Sequence, residues 1–234
     1  MAPPRLVTVA GPPSVGKTSV ISRALAVLRD DGVAAGVVKF DSLSTADQDL
    51  YARAGLPSRV GLSGGLCPDH FFVTNIEACL AWGERRGLDL LVSESAGLCN
   101  RCSPHLDGVL AVCVVDVLAG IRTPAKIGPM LRLADLVVVT KGDIVSQAER
   151  EVFAFNLRLA NPRAATVFCN GITGQGAMEV AWHLARAPQV ETLDGRRLRF
   201  AMPSAVCPYC VGETAIGDVH HRGNVKRMRF DDLP

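Results

Sequence analysis

Short apolar runs alternate with amphipathic segments through most of the chain. Continuous apolar runs are typical of strands buried on both faces, whereas apolar residues every three or four positions are typical of helices. Strands are predicted at 6–10, 33–39, 88–93, 109–115, 136–139 and 165–168, and helices at 19–28, 75–85, 146–159 and 176–185. The alternation predicts an α/β fold in which helices cover both faces of a mostly parallel sheet.

The pattern changes near residue 188. Residues 189–234 contain more Arg, Pro and Gly and only short alternating pieces. We therefore expect a main domain over 1–188 and a small, β-rich, Cys-containing C-terminal extension over 189–234. A chain of 234 residues is long enough for one α/β domain with such an appendage.

Composition narrows the classes of protein. An apolar fraction of 48% supports a large core, and a net charge of +2 gives no general case for nucleic acid as a partner. The N-terminus enters the first strand directly, and no apolar run is long enough to cross a bilayer. We expect a cytoplasmic protein without a membrane partner. Its eight cysteines then favour metal or redox chemistry over disulfides.

The segment between the first strand and the first helix is a phosphate-binding loop. Its glycines let successive backbone N–H groups and a helix N-terminus face an anion. Lys17 is expected to reach the β- and γ-phosphates, and the Thr18 hydroxyl to hold Mg²⁺. The residues predicted to bind nucleotide here are Gly11, Pro12, Pro13, Ser14, Val15, Gly16, Lys17, Thr18 and Ser19. The chain is therefore predicted to bind a nucleoside triphosphate.

Acidic residues follow two other strands. Glu94 follows the strand at 88–93, and Asp41 follows the second strand, where carboxylates can order Mg²⁺ and its waters. Gly97 would let a backbone N–H approach the γ-phosphate. We predict that Lys17, Asp41 and Glu94 are the catalytic residues, and that Thr18, Asp41 and Glu94 face Mg²⁺.

A base-recognition segment is predicted at residues 140–143. Thr140-Lys141-Gly142-Asp143 follows a buried strand and matches the Asn-Lys-x-Asp motif of GTPases, with Thr in place of Asn. The Asp143 carboxylate can accept hydrogen bonds from guanine that adenine cannot donate, so GTP is favoured over ATP. Asn170 and Gly171 are predicted to form a second wall for the base. The alternative is a polar turn without a ligand.

Taken together, these motifs resemble those of the metal-insertion GTPases, which include the urease accessory and hydrogenase-maturation GTPases. The matching positions, in chain order, are 11–18, Asp41, 94–97, Asp116, 126–129, 140–143 and 173–176. The resemblance implies a dimerising P-loop NTPase fold, low intrinsic GTPase activity and nickel delivery to a client metalloenzyme or its accessory proteins. It also implies that nucleotide state controls a homodimer with a metal site at its interface.

The resemblance extends to Cys67-Pro68-Asp69-His70. Urease relatives have Cys-Pro-His and hydrogenase relatives Cys-His at this place, so Asp69 is an insertion that shifts His70 by one position. Cys67 and His70 are candidate ligands, and Asp69 could itself coordinate. Cysteine with histidine suits a borderline metal such as Ni²⁺ or Zn²⁺.

Two CxxC pairs fall outside the family pattern. The first is Cys99 and Cys102, immediately after the γ-phosphate segment, and the second is Cys207 and Cys210 in the extension. Four thiolates suit structural zinc or a [4Fe-4S] cluster. Whether the pairs share one site, or the first pair bridges two subunits, stays open at this stage.

Three functions are compatible with these patterns. The leading hypothesis is a GTP-hydrolysing metallochaperone that couples nucleotide state to capture and delivery of a metal. One alternative is an iron–sulfur NTPase that drives electron transfer or cofactor assembly. The other is a nucleotide-gated binding module in which zinc holds the C-terminal extension.

Overall fold

In the part of the chain that the structure describes, seven strands form a single parallel sheet with helices on both faces. The computed structural model describes residues 2–45, 47–100, 102–201, 214–220 and 225–230. The strands are β1 Arg5–Ala10, β2 Ala35–Asp41, β3 Ser58–Leu62, β4 Leu90–Glu94, β5 Leu110–Asp116, β6 Leu136–Thr140 and β7 Ala165–Phe168. The helices are α1 Lys17–Asp30, α2 Asp47–Arg53, α3 Pro68–Arg85, α4 Thr123–Lys126, α5 Pro129–Arg132, α6 Gln147–Ala160 and α7 Ala177–Ala185.

The strand order places β1 at the switch point of the sheet. The order is β3-β2-β4-β1-β5-β6-β7, so β1 lies between β4 and β5. In open parallel sheets, ligands bind outside the carboxyl ends of the strands where the order reverses. The loop after β1 and the residues that end β2, β4 and β6 therefore meet along one edge.

Apolar side chains on the two faces of the sheet form the core. On one face, α1 and α7 cover β1, β4, β5 and β6, with Val7, Leu25, Val92, Val138 and Leu184 all buried. On the other face, α3 packs over β2 and β4, and α6 packs over β5 and β6. Burial on both faces is why these strands appear as continuous apolar runs in the sequence.

The predicted fold class is confirmed, whereas strand β3, helix α2 and the short helices α4 and α5 were not predicted. Strand β3 lies at the edge of the sheet and includes Arg59 and Gly61, which break its apolar pattern. Helix α2 has two aspartates in its first turn and a single buried side chain, Tyr51. Helix α3 begins at Pro68 rather than near Asn75, so residues 68–74 are helical.

The described part of the C-terminal extension packs against the main domain. Val190, Leu193, Leu198 and Ile216 are buried in the same apolar cluster as α3. Within the described ranges, the pairing of residues 189–230 consists of isolated antiparallel bridges, such as Leu106 with Leu198. A separate β-rich unit is therefore not seen there, and the boundary at 188/189 stays a prediction.

The length and hydropathy of the helices can be compared with those of a membrane-spanning helix. No helix in the described residues is both long and apolar enough to cross a membrane.

Candidate functional site

Two glycines of the phosphate loop have backbone conformations that other residues rarely adopt. Gly11 has a φ of +148°, and a Cβ there would lie 2.2 Å from the carbonyl oxygen of Val114. Gly16 has a φ of +95°, and Ser14 adopts a positive φ of 61°. A glycine-rich loop of this kind, leading directly into the N-terminus of α1, can receive an anion on its backbone N–H groups.

The side chain of Lys17 is hydrogen-bonded to the backbone of the phosphate loop. Its Nζ donates hydrogen bonds of 2.9 Å to the carbonyl oxygens of Gly11 and Pro12. Burial lowers the pKa of Lys17 to about 8, although the charge of Glu94 opposes the shift. A phosphate in the loop would favour the charged form of Lys17 and draw Nζ from the two carbonyls.

Glu94 lies at the centre of the site and is fully buried. Its carboxylate accepts hydrogen bonds from the Thr18 hydroxyl at 2.8 Å, from Lys39 Nζ at 2.9 Å and from the Tyr51 hydroxyl. Thr18 follows the phosphate loop and Glu94 ends β4, so the structure joins these two predicted Mg²⁺-facing residues directly.

Lys39 and Tyr51 were not predicted as part of the site. Lys39 also contacts Asp47, with 2.5 Å between Nζ and Oδ2. Burial alone would lower the pKa of Lys39, but Glu94 and Asp47 more than offset it and leave the pKa above its ordinary value. The available signal was a lysine near the end of an otherwise apolar strand, although its partners could not be identified from sequence.

The donor set around Thr18 fits a magnesium ion. Thr18, Asp41, Asp47 and Glu94 line one cleft of about 360 Å³ together with Lys17 and Lys39. Hydroxyl and carboxylate oxygens are the ligands that Mg²⁺ prefers, and phosphate oxygens of a nucleotide would complete its shell. Thr18, Glu94 and Asp41 are therefore the residues that would hold Mg²⁺ or its waters.

Gly97 brings the segment after β4 onto the phosphate loop. It has a φ of +74°, and a Cβ there would lie 1.8 Å from the carbonyl oxygen of Gly11 and 3.1 Å from Lys17 Nζ. The predicted γ-phosphate-sensing segment therefore touches the same carbonyl that Lys17 holds. The two segments are therefore in direct contact.

The predicted base-recognition segment is bonded to the phosphate loop. The Thr140 hydroxyl donates to the carbonyl oxygens of Val15 at 2.6 Å and Val115 at 3.2 Å. Lys141 has a positive φ of 58°, and its Nζ donates to the Ser14 carbonyl and pairs with Asp116. Thr140 thus supplies a bracing contact although it replaces the usual Asn.

Asp143 lines a second cleft, of about 310 Å³. Asp143, Phe168 and Asn170 are among its lining residues. Asn170 shapes this turn, because its side-chain oxygen accepts from the backbone N–H groups of Ile172 and Thr173. Gly171 packs against α1, since a Cβ there would lie 2.7 Å from the Cβ of Ser19. Asp143 and Asn170 therefore share one cleft, whereas Thr140, Lys141 and Gly171, which were also predicted to recognise a base, do not line it.

Three of the candidate metal ligands, Cys67, Cys99 and Cys102, lie close together, and Asp69 lies beside them. The thiol of Cys102 is buried, and the Asp69 carboxyl group and the thiols of Cys99 and Cys67 all lie near enough to influence its pKa. Burial raises the pKa of Asp69 to about 6. Burial, with Asp69 and the neighbouring thiols, also raises the pKa of Cys102.

Helix α3 positions the ligands that follow Cys67. Pro68 begins the helix, so Asp69 and His70 occupy its first turn, and both are buried. Across the described residues, no three Cys, His, Asp or Glu side chains form a group that could hold a metal ion as it stands. The arrangement is a convergence of potential ligands that would have to close further around a metal.

The second CxxC pair and the buried His105 need separate mention. Cys207 and Cys210 lie outside the described residues, so their relation to Cys99 and Cys102 stays open. His105 is fully buried between the Thr8 hydroxyl at 2.9 Å and the Met130 carbonyl at 3.0 Å. Burial lowers the pKa of His105 to about 4, so this histidine is a neutral structural residue at physiological pH.

The parallel sheet, the glycine-rich loop after β1 and the carboxylate at the end of β4 together define a P-loop nucleotide-binding protein. A family model described as the CobW/HypB/UreG nucleotide-binding domain matches residues 5–168. The chain therefore belongs to the CobW/HypB/UreG family, and the predicted membership is confirmed.

Individual relatives agree with this assignment. The chain is 43% identical over 224 residues to an uncharacterized protein of Methanocaldococcus jannaschii, and 96% of each chain is covered. It is 31% identical over 190 residues to urease accessory protein UreG 2 of Methylobacterium radiotolerans, covering 76% of this chain and 91% of the relative.

A solved structure supports the fold. HypB from Helicobacter pylori in complex with nickel superposes with a TM-score of 0.62 at 19% identity, covering 77% of this chain and 85% of that chain. At this identity the likeness concerns the fold alone.

Proposed function

We propose that this protein is a GTP-hydrolysing metallochaperone whose nucleotide state controls capture and release of a transition metal. The observation that carries the proposal is one short segment that serves both sites. It starts at Glu94, which accepts a hydrogen bond from Thr18, and passes Gly97, which abuts Gly11. It ends at Cys99 and Cys102, which lie with Asp69.

The nucleotide half of the proposal assigns a role to each residue. Backbone N–H groups of the phosphate loop would bind the β-phosphate, and Lys17 would leave the Gly11 and Pro12 carbonyls to neutralise the γ-phosphate. Bound Mg²⁺ supplies charge neutralisation at the phosphates, held through Thr18. Glu94 and Asp41 would orient water for in-line attack on the γ-phosphate, and positioning and electrostatics would supply the rate enhancement.

Guanine recognition is proposed for Asp143. A carboxylate accepts two hydrogen bonds from the N1–H and 2-amino groups of guanine, which adenine does not present in that arrangement. Asp143 shares its cleft with Phe168 and Asn170, which supports a base-binding role. GTP is therefore the proposed substrate, with ATP the weaker alternative.

Metal capture is proposed for Cys67, Cys99 and Cys102, with Asp69 or His70 completing the set. Thiolates with a carboxylate or imidazole suit Ni²⁺ or Zn²⁺. Membership of the CobW/HypB/UreG family and the fold shared with a nickel-bound HypB support Ni²⁺ as the cargo. Delivery to a client metalloenzyme or its accessory proteins, a homodimer and a cytoplasmic location are part of the same proposal.

Coupling would act through the position of Gly97. Entry of a γ-phosphate would move Lys17 and the Gly11 carbonyl, which Gly97 contacts, and so displace Cys99 and Cys102 relative to Asp69. The described ligands do not form a closed metal site as they stand. We propose that closure of these ligands around a metal depends on nucleotide state.

The test is Ni²⁺ affinity in the presence of GDP and of a non-hydrolysable GTP analogue, with Mg²⁺ throughout. The wild-type protein should show a ratio of the two affinities different from one, and Cys99→Ala should abolish that difference. Cys79→Ala is the matched control, because Cys79 is buried inside α3 and packs against Met228. A Cys99→Ala protein that keeps the wild-type ratio would contradict the coupling.

Anaerobic purification separates the proposal from the two alternatives. A brown protein with near-stoichiometric iron would favour an iron–sulfur NTPase. Zinc that stays bound regardless of nucleotide would favour a binding module with structural zinc. The metallochaperone proposal expects a colourless protein that exchanges Ni²⁺ according to nucleotide state.

A further inference from the structure

Lys39 is a buried lysine in the interior of a parallel sheet. It lies on β2 directly opposite Glu94 on β4, and 5% of its surface is exposed. A lysine at such a position must be paired, because an isolated ammonium group in the interior is very costly. Its two partners are Glu94, at 2.9 Å, and Asp47, at 2.5 Å.

Both partners of Lys39 belong to the nucleotide site. Glu94 accepts a hydrogen bond from Thr18, and Asp47 lines the same cleft as Thr18 and Glu94. Lys39 itself lines the triphosphate cleft with Lys17. Its ammonium group therefore contacts carboxylates that face the expected position of Mg²⁺. Without Lys39, a divalent cation would be the main positive charge beside these carboxylates.

The charges that line the cleft show what Lys39 contributes. Two ammonium groups, Lys17 and Lys39, face three carboxylates, Asp41, Asp47 and Glu94. Without Lys39, the carboxylates would outnumber the positive charges three to one before any phosphate binds. Like charges repel strongly in a partly buried cleft, so a triphosphate would then depend on Mg²⁺ to approach.

We propose that Lys39 is a second built-in cation of the triphosphate site, which lets nucleotide bind with reduced dependence on Mg²⁺. In the nucleotide-free protein, its ammonium group neutralises Glu94 and holds it toward Thr18. Bound Mg²⁺ would interact with the same two carboxylates, Glu94 and Asp47, so Lys39 and Mg²⁺ would compete for them. This inference rests on the proposed function, because it assumes that the cleft binds a nucleoside triphosphate.

A purely structural ion pair would behave differently. If Lys39 only stabilised the contact between β2 and β4, its removal would weaken nucleotide binding equally with and without Mg²⁺. If Lys39 is a cation of the site, its removal must weaken binding without Mg²⁺ more than binding with Mg²⁺. The ratio of the two dissociation constants therefore separates the two roles.

The experiment measures the Kd of a fluorescent, non-hydrolysable GTP analogue in EDTA and in saturating Mg²⁺. For Lys39→Met, the ratio of the EDTA value to the Mg²⁺ value should rise at least about tenfold over wild type. Lys39→Arg keeps the charge and should stay within about threefold. Lys226→Met is the matched control, because Lys226 is exposed and its Nζ contacts the Leu62 carbonyl outside the cleft.

The outcomes separate this inference from the proposed function. If wild type binds no nucleotide in either condition, the proposed function fails. If wild type binds nucleotide and Lys39→Met has the wild-type ratio, the role of Lys39 as a site cation is overturned while nucleotide binding stands.

A second measurement covers the case in which Lys39→Met does not fold. The chain has five lysines, at positions 17, 39, 126, 141 and 226, so ¹⁵N-lysine labelling gives few ammonium resonances. The Lys39 signal, assigned with Lys39→Arg, should shift when Mg²⁺ is added to the complex with the GTP analogue. An unchanged Lys39 signal, in a sample whose Lys17 signal responds to nucleotide, would overturn the inference.

Discussion

The hydroxyl group of Thr140 donates a 2.6 Å hydrogen bond to the carbonyl oxygen of Val15, in the phosphate loop. Thr140 ends β6 and begins the segment predicted to recognise the base, so this hydrogen bond joins that segment to the phosphate loop. GTPases usually have Asn at this place, and the shorter Thr side chain reaches the loop here. The substitution therefore keeps a brace between the base segment and the phosphate loop.

Replacement of Thr140 by Val should remove this brace with little change of shape. The carbonyl oxygens of Val15 and Val115 would lose their hydroxyl donor, which costs on the order of 1–2 kcal/mol. We expect a lower urea midpoint for Thr140→Val and weaker binding of both GTP and GDP. Thr166→Val, at a half-buried position in β7, is the control and should change neither quantity appreciably. Unchanged nucleotide affinity in Thr140→Val would show that the brace has no role in binding.

Asp143→Asn should change which base the protein accepts. The amide would place an N–H donor against the guanine 2-amino group, which is itself a donor. GTP affinity should therefore fall about 100-fold or more. The same amide can donate to the 2-oxygen of xanthine, so XTP should bind better to the variant than to wild type. Competition against a fluorescent nucleotide measures both changes. Asp30→Asn, on the exposed end of α1, is the control.

If Asp143→Asn lowers ATP and GTP affinity equally and gains no XTP binding, Asp143 does not read the base. That result would leave phosphate binding intact and move the base to another cleft.

Apolar periodicity predicted most of the fold because the relevant physics is local. Continuous apolar runs identified β1, β2 and β4–β7, since burial on both faces requires apolar side chains at every position. The edge strand β3 was not predicted, because an edge position needs fewer apolar residues and tolerates Arg59 and Gly61. The first turns of α3 were not predicted either, because Pro68, Asp69 and His70 resemble a loop in composition.

Site residues within a single loop were predictable, whereas pairs brought together by the fold were not. The phosphate loop is identified by the spacing of Gly11, Gly16 and Lys17 alone. The contact of Lys39 with Glu94 depends on the register between β2 and β4, which are 55 residues apart along the chain. The contact of Asp69 with Cys102 likewise depends on how α3 docks. No local pattern in one sequence encodes such registers.

His105 should make the stability of the protein depend on pH. Its pKa is about 4 in the folded protein, because burial disfavours the charged form, and about 6.5 in an unfolded chain. Between these values the unfolded chain binds a proton that the folded protein does not. The free energy of unfolding contributed by His105 is therefore fully present above pH 6.5, and about 3 kcal/mol is lost as pH falls toward 4.

Urea denaturation of wild type and His105→Gln across this pH range tests the effect. Asp69, whose pKa is raised to about 6, contributes a slope of opposite sign, but it does so in both proteins and cancels in the difference. We expect the difference in unfolding free energy between the two proteins to shrink as pH falls from 6.5 to 4. A constant difference would mean that His105 is not held neutral by the fold.

Gly97→Ala should separate the metal segment from the phosphate loop. A Cβ at this position would lie 1.8 Å from the Gly11 carbonyl oxygen, so residues 95–98 would have to move away from the loop. We expect the affinity for GTP to fall at least about tenfold, because the loop and Lys17 would lose their present positions. The nucleotide dependence of Ni²⁺ affinity should also disappear. Isothermal titration measures both.

Gly195→Ala is the matched control for backbone strain. Gly195 has a φ of +70°, close to the +74° of Gly97, and no described atom lies within 4 Å of the Cβ it would acquire. Both variants carry the cost of a side chain in the left-handed region, on the order of 1 kcal/mol, which should lower the urea midpoint in each. Gly97→Ala alone should lose GTP affinity and coupling. If Gly97→Ala binds GTP as Gly195→Ala does, the close approach of Gly97 to Gly11 does not govern the nucleotide site.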